Sequence, residues 1–368
     1  MSALLLHNCY QELGARFTEI NGMEVIERFG EVMDEYRALS NTGGVLDLSF
    51  RGRLCLGGTE RKRFLHGQVT NNVNDLAVGQ GCYAALTTPK GKMQSDLNIY
   101  CLPDELLLDF EPGFSAAVLA RLEKYIIADD VQVTDVGPHY GLLSVQGPLA
   151  AEILRSSGLA IDLPQKPLTF TTTAERGSGT LYCTNNARGR TGGFDLFVPE
   201  GSLRTAFEKL KTTAEAAGGR ACGWQALEMA RIEAGLPRFG VDMDETNLPP
   251  EAGIEQRAIS YSKGCYIGQE VIARIRTYGQ VAKMLRGLLL DKDSKNLPRK
   301  DDKLFDGDKE AGYVTSSLTS PAFNANIALG YVRREHHQAG TLLRVRSVGG
   351  ETMAEVKELP WMPPDNRV

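Results

Sequence analysis

The segment Ser262-Lys263-Gly264-Cys265-Tyr266-Ile267-Gly268-Gln269-Glu270, followed by Arg274 and Arg276, sets a cysteine between two glycines and close to several cations. Glycines let the backbone take positive φ or approach a ligand closely. A cysteine of ordinary pKa, near 8.5, is only about 3% thiolate at pH 7. A cation about 7 Å from the sulfur favours the thiolate by roughly 2.4 kcal/mol at an effective dielectric of ~20, before solvent screening. Lys263 is therefore expected to activate Cys265 as a nucleophile. The competing reading is a small apolar side chain in a tight turn.

Two further residues stand out. A helix from Cys222 to Ala234 places Arg231 in line with Trp224, Leu227 and Ala234, so its charge needs an anionic partner. That partner is either a ligand or one of Glu228, Glu233 and Asp242. In Pro89-Lys90-Gly91-Lys92-Met93-Gln94-Ser95-Asp96, Gly91 reads as a hairpin tip and Asp96 as the start of a strand running from Leu97 to Cys101. A carboxylate there can position an amine or act as a base, or simply satisfy turn amides.

The elements that must hold these residues follow an α+β pattern rather than a regular βαβ alternation. Helices are expected over 24–39, from Thr59 through Phe64 and Leu65, over 115–127, from Gly147-Pro148 through Leu154, and over 202–217. Strands are expected at 53–56, 106–110 and 142–145, with a hairpin over 180–197. Gly177-Ser178-Gly179 reads as a polar turn. The charge-rich stretch 291–303 reads as a solvated loop. Beyond it, alternating segments at 312–314, 327–332, 342–348 and 354–359 predict a small β-barrel.

The chain has 368 residues, 42% hydrophobic and 24% charged, which fits two or three globular domains. A net charge of −5 argues against a nucleic-acid binder that relies on a strongly basic surface. No stretch reads as a membrane span or a secretory leader. Seven scattered cysteines without a C-x-x-C pair, and five histidines without ligand spacing, support neither a zinc ribbon nor a metal site, and suggest a cytoplasmic protein. Dinucleotide, P-loop, zincin and nucleophile-elbow motifs are absent.

Lys263-Gly264-Cys265-Tyr266-Ile267-Gly268-Gln269-Glu270 resembles the K-G-C-Y-x-G-Q-E signature of the YgfZ proteins, folate-binding relatives of the glycine-cleavage T-protein. Phe64-Leu65-His66-Gly67-Gln68-Val69-Thr70-Asn71, Ser144-Val145-Gln146-Gly147-Pro148, Arg231-Ile232-Glu233-Ala234-Gly235-Leu236-Pro237 and Leu248-Pro249-Pro250-Glu251-Ala252-Gly253 are similar to further segments of that family. Gly312 to Ser316 and Ala328 to Val332 are similar to its C-terminal barrel.

The resemblance implies an α+β, aminomethyltransferase-like ring of two ferredoxin-like units over 1–282, with 51–138 as an inserted subdomain, and a β-barrel over 283–368. It implies a cleft for tetrahydrofolate or a derivative, with Arg231, Lys263, Tyr266 and Gln269 as candidate contacts. It further implies a factor that supports iron–sulfur enzymes or their assembly proteins through the Cys265 thiol, with Lys263 and Asp96 beside it in the chemistry. Where the transferases carry paired aspartates this chain reads Ser95-Asp96, and their pterin-gripping T-G-E-x-G-F corresponds to Gly189-Arg190-Thr191-Gly192-Gly193-Phe194, without the glutamate. These departures favour the iron–sulfur factor over the alternative, a tetrahydrofolate-dependent aminomethyl or one-carbon transferase in which Asp96 positions an amine. A non-enzymatic scaffold is the third reading.

Overall fold

The computed structural model describes residues 2–361, apart from 176–178, 280, 293 and 295. Gly177 and Ser178 of the expected polar turn thus lie outside the described residues. The chain divides into two compact units, one formed by 1–86 and 95–230, the other by 87–94 and 231–368.

The first unit holds two sheets. The larger has six strands in the order Phe170–Glu175, Gly179–Asn185, Gly193–Pro199, Tyr140–Gln146, Gly44–Asp47 and Arg220–Ala221, antiparallel where the register is given except for the last, parallel pair. The smaller has five, in the order Gly81–Thr87, Met93–Cys101, Leu106–Phe110, Gly52–Gly57 and Gln132–Asp135. Every residue of Leu106–Phe110 is buried, and the pleat sorts them. Leu106, Leu108 and Phe110 join Leu54, Leu56, Leu97 and Ile99 in one core, under the helices Arg61–Gln68 and Ser115–Glu123. Cys55, Tyr100 and Leu107 face the other way, into the core shared with the larger sheet.

The helix expected over 24–39 is a strand, Met23–Arg28, followed by a shorter helix, Val32–Asn41. Val25 and Ile26 are both buried as an antiparallel partner of Arg16–Ile20, and Gly30 separates the two elements. The helix expected over 115–127 stops at Glu123, leaving Ile127 92% exposed.

The second unit contains a closed barrel in the order Lys283–Leu290, Ala325–Arg333, Lys309–Ser320, Lys303–Asp306, Leu342–Ser347 and Gly350–Lys357. Two of these strands were not expected. Lys303–Asp306 is short, begins with a lysine and pairs across a bulge, so no alternation marks it. The tip of the 87–94 segment belongs to this unit: Met93 is fully buried and its N–H donates to the Asn247 carbonyl at 3.0 Å.

Candidate functional site

Asp96 lies in the smaller sheet of the first unit, inside the strand Met93–Cys101 rather than before it. Its Oδ2 accepts a hydrogen bond from the Tyr83 hydroxyl at 2.8 Å. Its Oδ1 is buried and has no hydrogen-bond partner. Burial, reinforced by the nearby Glu111 carboxylate, pushes the Asp96 carboxyl up to about 6, against the opposing pull of Tyr83 and Arg51. A carboxyl poised there exchanges protons near neutral pH, which suits acid–base chemistry.

Beside Asp96 lies a buried ionic network that the sequence reading missed. Arg51 donates to Glu111 at 2.5 Å and to Asp109 at 2.7 and 3.2 Å. Asn98 donates to Asp109 at 3.1 Å, and Arg188 reaches both Asp109 at 3.3 Å and Asp195 at 2.7 Å. Burial works against ionising Asp109, but Arg51 and Arg188 outweigh it and hold this carboxyl below its ordinary range. The signal was present as Arg51-Gly52-Arg53 and Asp109-Phe110-Glu111, charges two residues apart in strand-forming segments, which places each pair on one face of the sheet.

The segment 189–194 lies at the turn between the strands Gly179–Asn185 and Gly193–Pro199. Gln146 fills the space there: its Oε1 accepts the Arg188 N–H at 2.9 Å, and a Cβ on Gly193 would come within 2.0 Å of that oxygen.

In the second unit, Lys263 is buried with its Nζ 4.8 Å from the centre of the Tyr266 ring, a cation–π contact. Burial pushes the Tyr266 phenol up to about 12. Cys265 is exposed and free. Gly268 takes φ +88° and caps the helix Gln269–Tyr278, and Ile267 accepts a 2.6 Å hydrogen bond from Thr87. Gln269, half-buried, opens that helix. Arg231 is buried and donates to Asp242 at 2.5 Å, to Ser316 at 3.0 Å and to the Leu236 carbonyl at 3.3 Å. Of the internal partners open in the sequence, Asp242 is thus one that meets the charge. Among the described residues, no group of three or more His, Cys, Asp or Glu side chains is gathered to hold a metal, and no helix is long and apolar enough to cross a membrane.

Comparison with known proteins places this geometry. The model of the GCVT N-terminal domain matches residues 6–263, and that of the glycine cleavage T-protein C-terminal barrel domain matches 283–362. An aminomethyltransferase of Corynebacterium jeikeium is 30% identical over 91% of this chain and 90% of its own length. One from Bacillus pumilus is 26% identical over 97% of each chain. The crystal structure of the glycine cleavage system aminomethyltransferase T from Bartonella henselae superposes with a TM-score of 0.88 at 23% identity, covering 98% of both chains, so the fold is the same. These findings overturn the expected iron–sulfur assembly role exerted through Cys265: the chain aligns almost end to end with curated aminomethyltransferases, and neither that role nor iron–sulfur partners find support among them.

Proposed function

We propose tetrahydrofolate-dependent aminomethyl transfer as the activity of this chain, which belongs to the glycine cleavage T-protein family. The observation that carries the reading is the Asp96 carboxylate, one oxygen fixed by Tyr83 and the other a buried acceptor without a partner, on a chain matched along its length to aminomethyltransferases. That acceptor fits a reduced pterin, whose ring and bridge amines are N–H donors. Tetrahydrofolate supplies the nitrogen that receives the one-carbon unit.

The protein's part is to hold and deprotonate. Above about pH 6 the Asp96 carboxylate accepts an N–H at Oδ1 and takes its proton, while Tyr83 keeps the carboxyl from rotating. Lys263, Tyr266, Gln269 and Arg231 are carried in this reading as candidate cofactor contacts, with Lys263 and Arg231 acting from buried, already partnered positions. No step of transfer needs the Cys265 thiol.

The finer likeness to the YgfZ proteins rests on the segment Lys263 to Glu270 and concerns lineage within the family. The division into 1–282 and 283–368, and a cytoplasmic location, belong to the same proposal; the free state of all seven cysteines is consistent with a reducing compartment. The test supplies tetrahydrofolate and the aminomethyl carrier of a glycine cleavage system, and follows methylene-tetrahydrofolate and ammonia. Stoichiometric release of both supports the reading. Failure to form methylene-tetrahydrofolate with a carrier that a known aminomethyltransferase turns over would sink it.

A further inference from the structure

We propose that Glu111, fixed by Arg51, is a positioning residue that makes Asp96 a competent proton acceptor; the proposal rests on the transferase reading given above. The geometry begins with strand register. Asn98 pairs with Asp109, and Asp109 with Arg53, across three adjacent antiparallel strands. Carried two residues further, past the ends of the paired segments, that register brings Asp96, Glu111 and Arg51 into a parallel row, in which Arg51 contacts Glu111. The two rows are tied by Arg51, which holds Glu111 at 2.5 Å with Nη1 and Asp109 at 2.7 Å with Nε. Its guanidinium thus pins the Glu111 carboxylate in place.

Tyr83 reaches Asp96 from the strand Gly81–Thr87, Glu111 from the end of Leu106–Phe110, and Arg51 from the approach to Gly52–Gly57. Asp109, Arg188 and Asp195 continue the network behind them. Tyr83 and Arg51 both favour the ionised form of Asp96, while burial, the largest influence, opposes them. Of Tyr83, Arg51 and Glu111, Glu111 alone works in the same direction as burial. A base that must take a proton from an amine needs the higher proton affinity that a like charge across the sheet provides. What assigns Glu111 is its place in the row and its contact with Arg51.

The test reads Asp96 directly, by carbon-13 NMR titration of the carboxyl in the protein without folate, with the signal assigned by its loss in Asp96→Asn. In the unsubstituted protein the midpoint is expected near 6. In Glu111→Gln the proton affinity of Asp96 is expected to drop roughly tenfold, while Glu111→Asp, which keeps the charge, largely restores it. Because Glu111→Gln leaves Arg51 short of a buried partner and risks unfolding, the double variant Arg51→Met/Glu111→Gln removes the pair together. Its midpoint should also fall, by less. An unmoved or raised midpoint in a folded variant overturns the proposal. So does a lowered midpoint without a matching shift of the acidic limb of the transfer-rate profile. The titration needs no substrate, so a chain that transfers nothing would overturn the transferase reading through the assay above while Asp96 still titrates as described.

Discussion

Asp96 carries opposite consequences for catalysis and for stability. As a base it works only when ionised, so transfer should decline as pH falls through about 6. Asp96→Asn should lower the rate by roughly 10²–10⁴-fold, with the residual rate no longer showing that acidic limb. The folded value lies above the ordinary aspartate value near 3.9, so the native state binds more protons than the unfolded one between about pH 4 and 6. Asp96 therefore makes the fold less stable as pH rises through that window. Asp96→Asn should melt at a higher temperature than the unsubstituted protein at pH 7, and the two curves should converge below pH 4, as followed by calorimetry. Arg231 shows the complementary case. Asp242→Ala removes the buried carboxylate that Arg231, Thr315 and Ser316 all bond, and should cost about 3–5 kcal/mol in denaturant unfolding.

At the scale of the element, the segment around Cys265 owes its shape to glycine rather than to the thiol. A Cβ on Gly268 would sit 2.6 Å from the Thr88 carbonyl oxygen, at a φ of +88° that other residues rarely adopt. Gly268→Ala should cost about 1–3 kcal/mol from the backbone alone, whereas Cys265→Ala, at an exposed site, should stay within about 0.5 kcal/mol of the parent. Denaturation of the two variants side by side checks the contrast. The same contrast explains what was legible in the sequence. Punctuation and apolar runs marked the turn at Gly91, the strand Leu106–Phe110 and the hairpin closing at Phe197, because local sterics and burial fix them. Asp96 was visible as a carboxylate near a hairpin. Its tuning was not, because Arg51, Asp109 and Glu111 come from segments about sixty residues apart and meet only through strand register. The helix expected over 24–39 failed for a related reason. Val25 and Ile26 are buried by a hairpin partner whose pairing no short window reveals.

Across the whole molecule, each unit is assembled from two stretches of chain. Residues 87–94 belong with 231–368, although 1–86 and 95–230, which flank them in sequence, form the other unit. A fragment ending at residue 230 would keep Met93, fully buried in the intact protein, without the Asn247 carbonyl that its N–H bonds. Such a fragment should unfold less cooperatively than the full chain and bind the dye ANS, which reports exposed apolar surface; a sharp transition and no dye binding would show that the hairpin tip is dispensable. The end-to-end match with aminomethyltransferases accords with this arrangement, since neither unit is a continuous piece of sequence.

That interrupted layout also sets a schedule for biosynthesis. Residues 87–94 leave the ribosome about 140 residues before the stretch they pack against begins to appear. At 5–20 residues per second that is a wait of roughly 7–30 s, far longer than a hairpin takes to form. The strand that bears Asp96 therefore emerges early, and its tip must stay solvated or chaperoned until residue 231 and beyond arrive. Slow translation between residues 95 and 230 would lengthen that exposure without altering a single side chain of the finished protein.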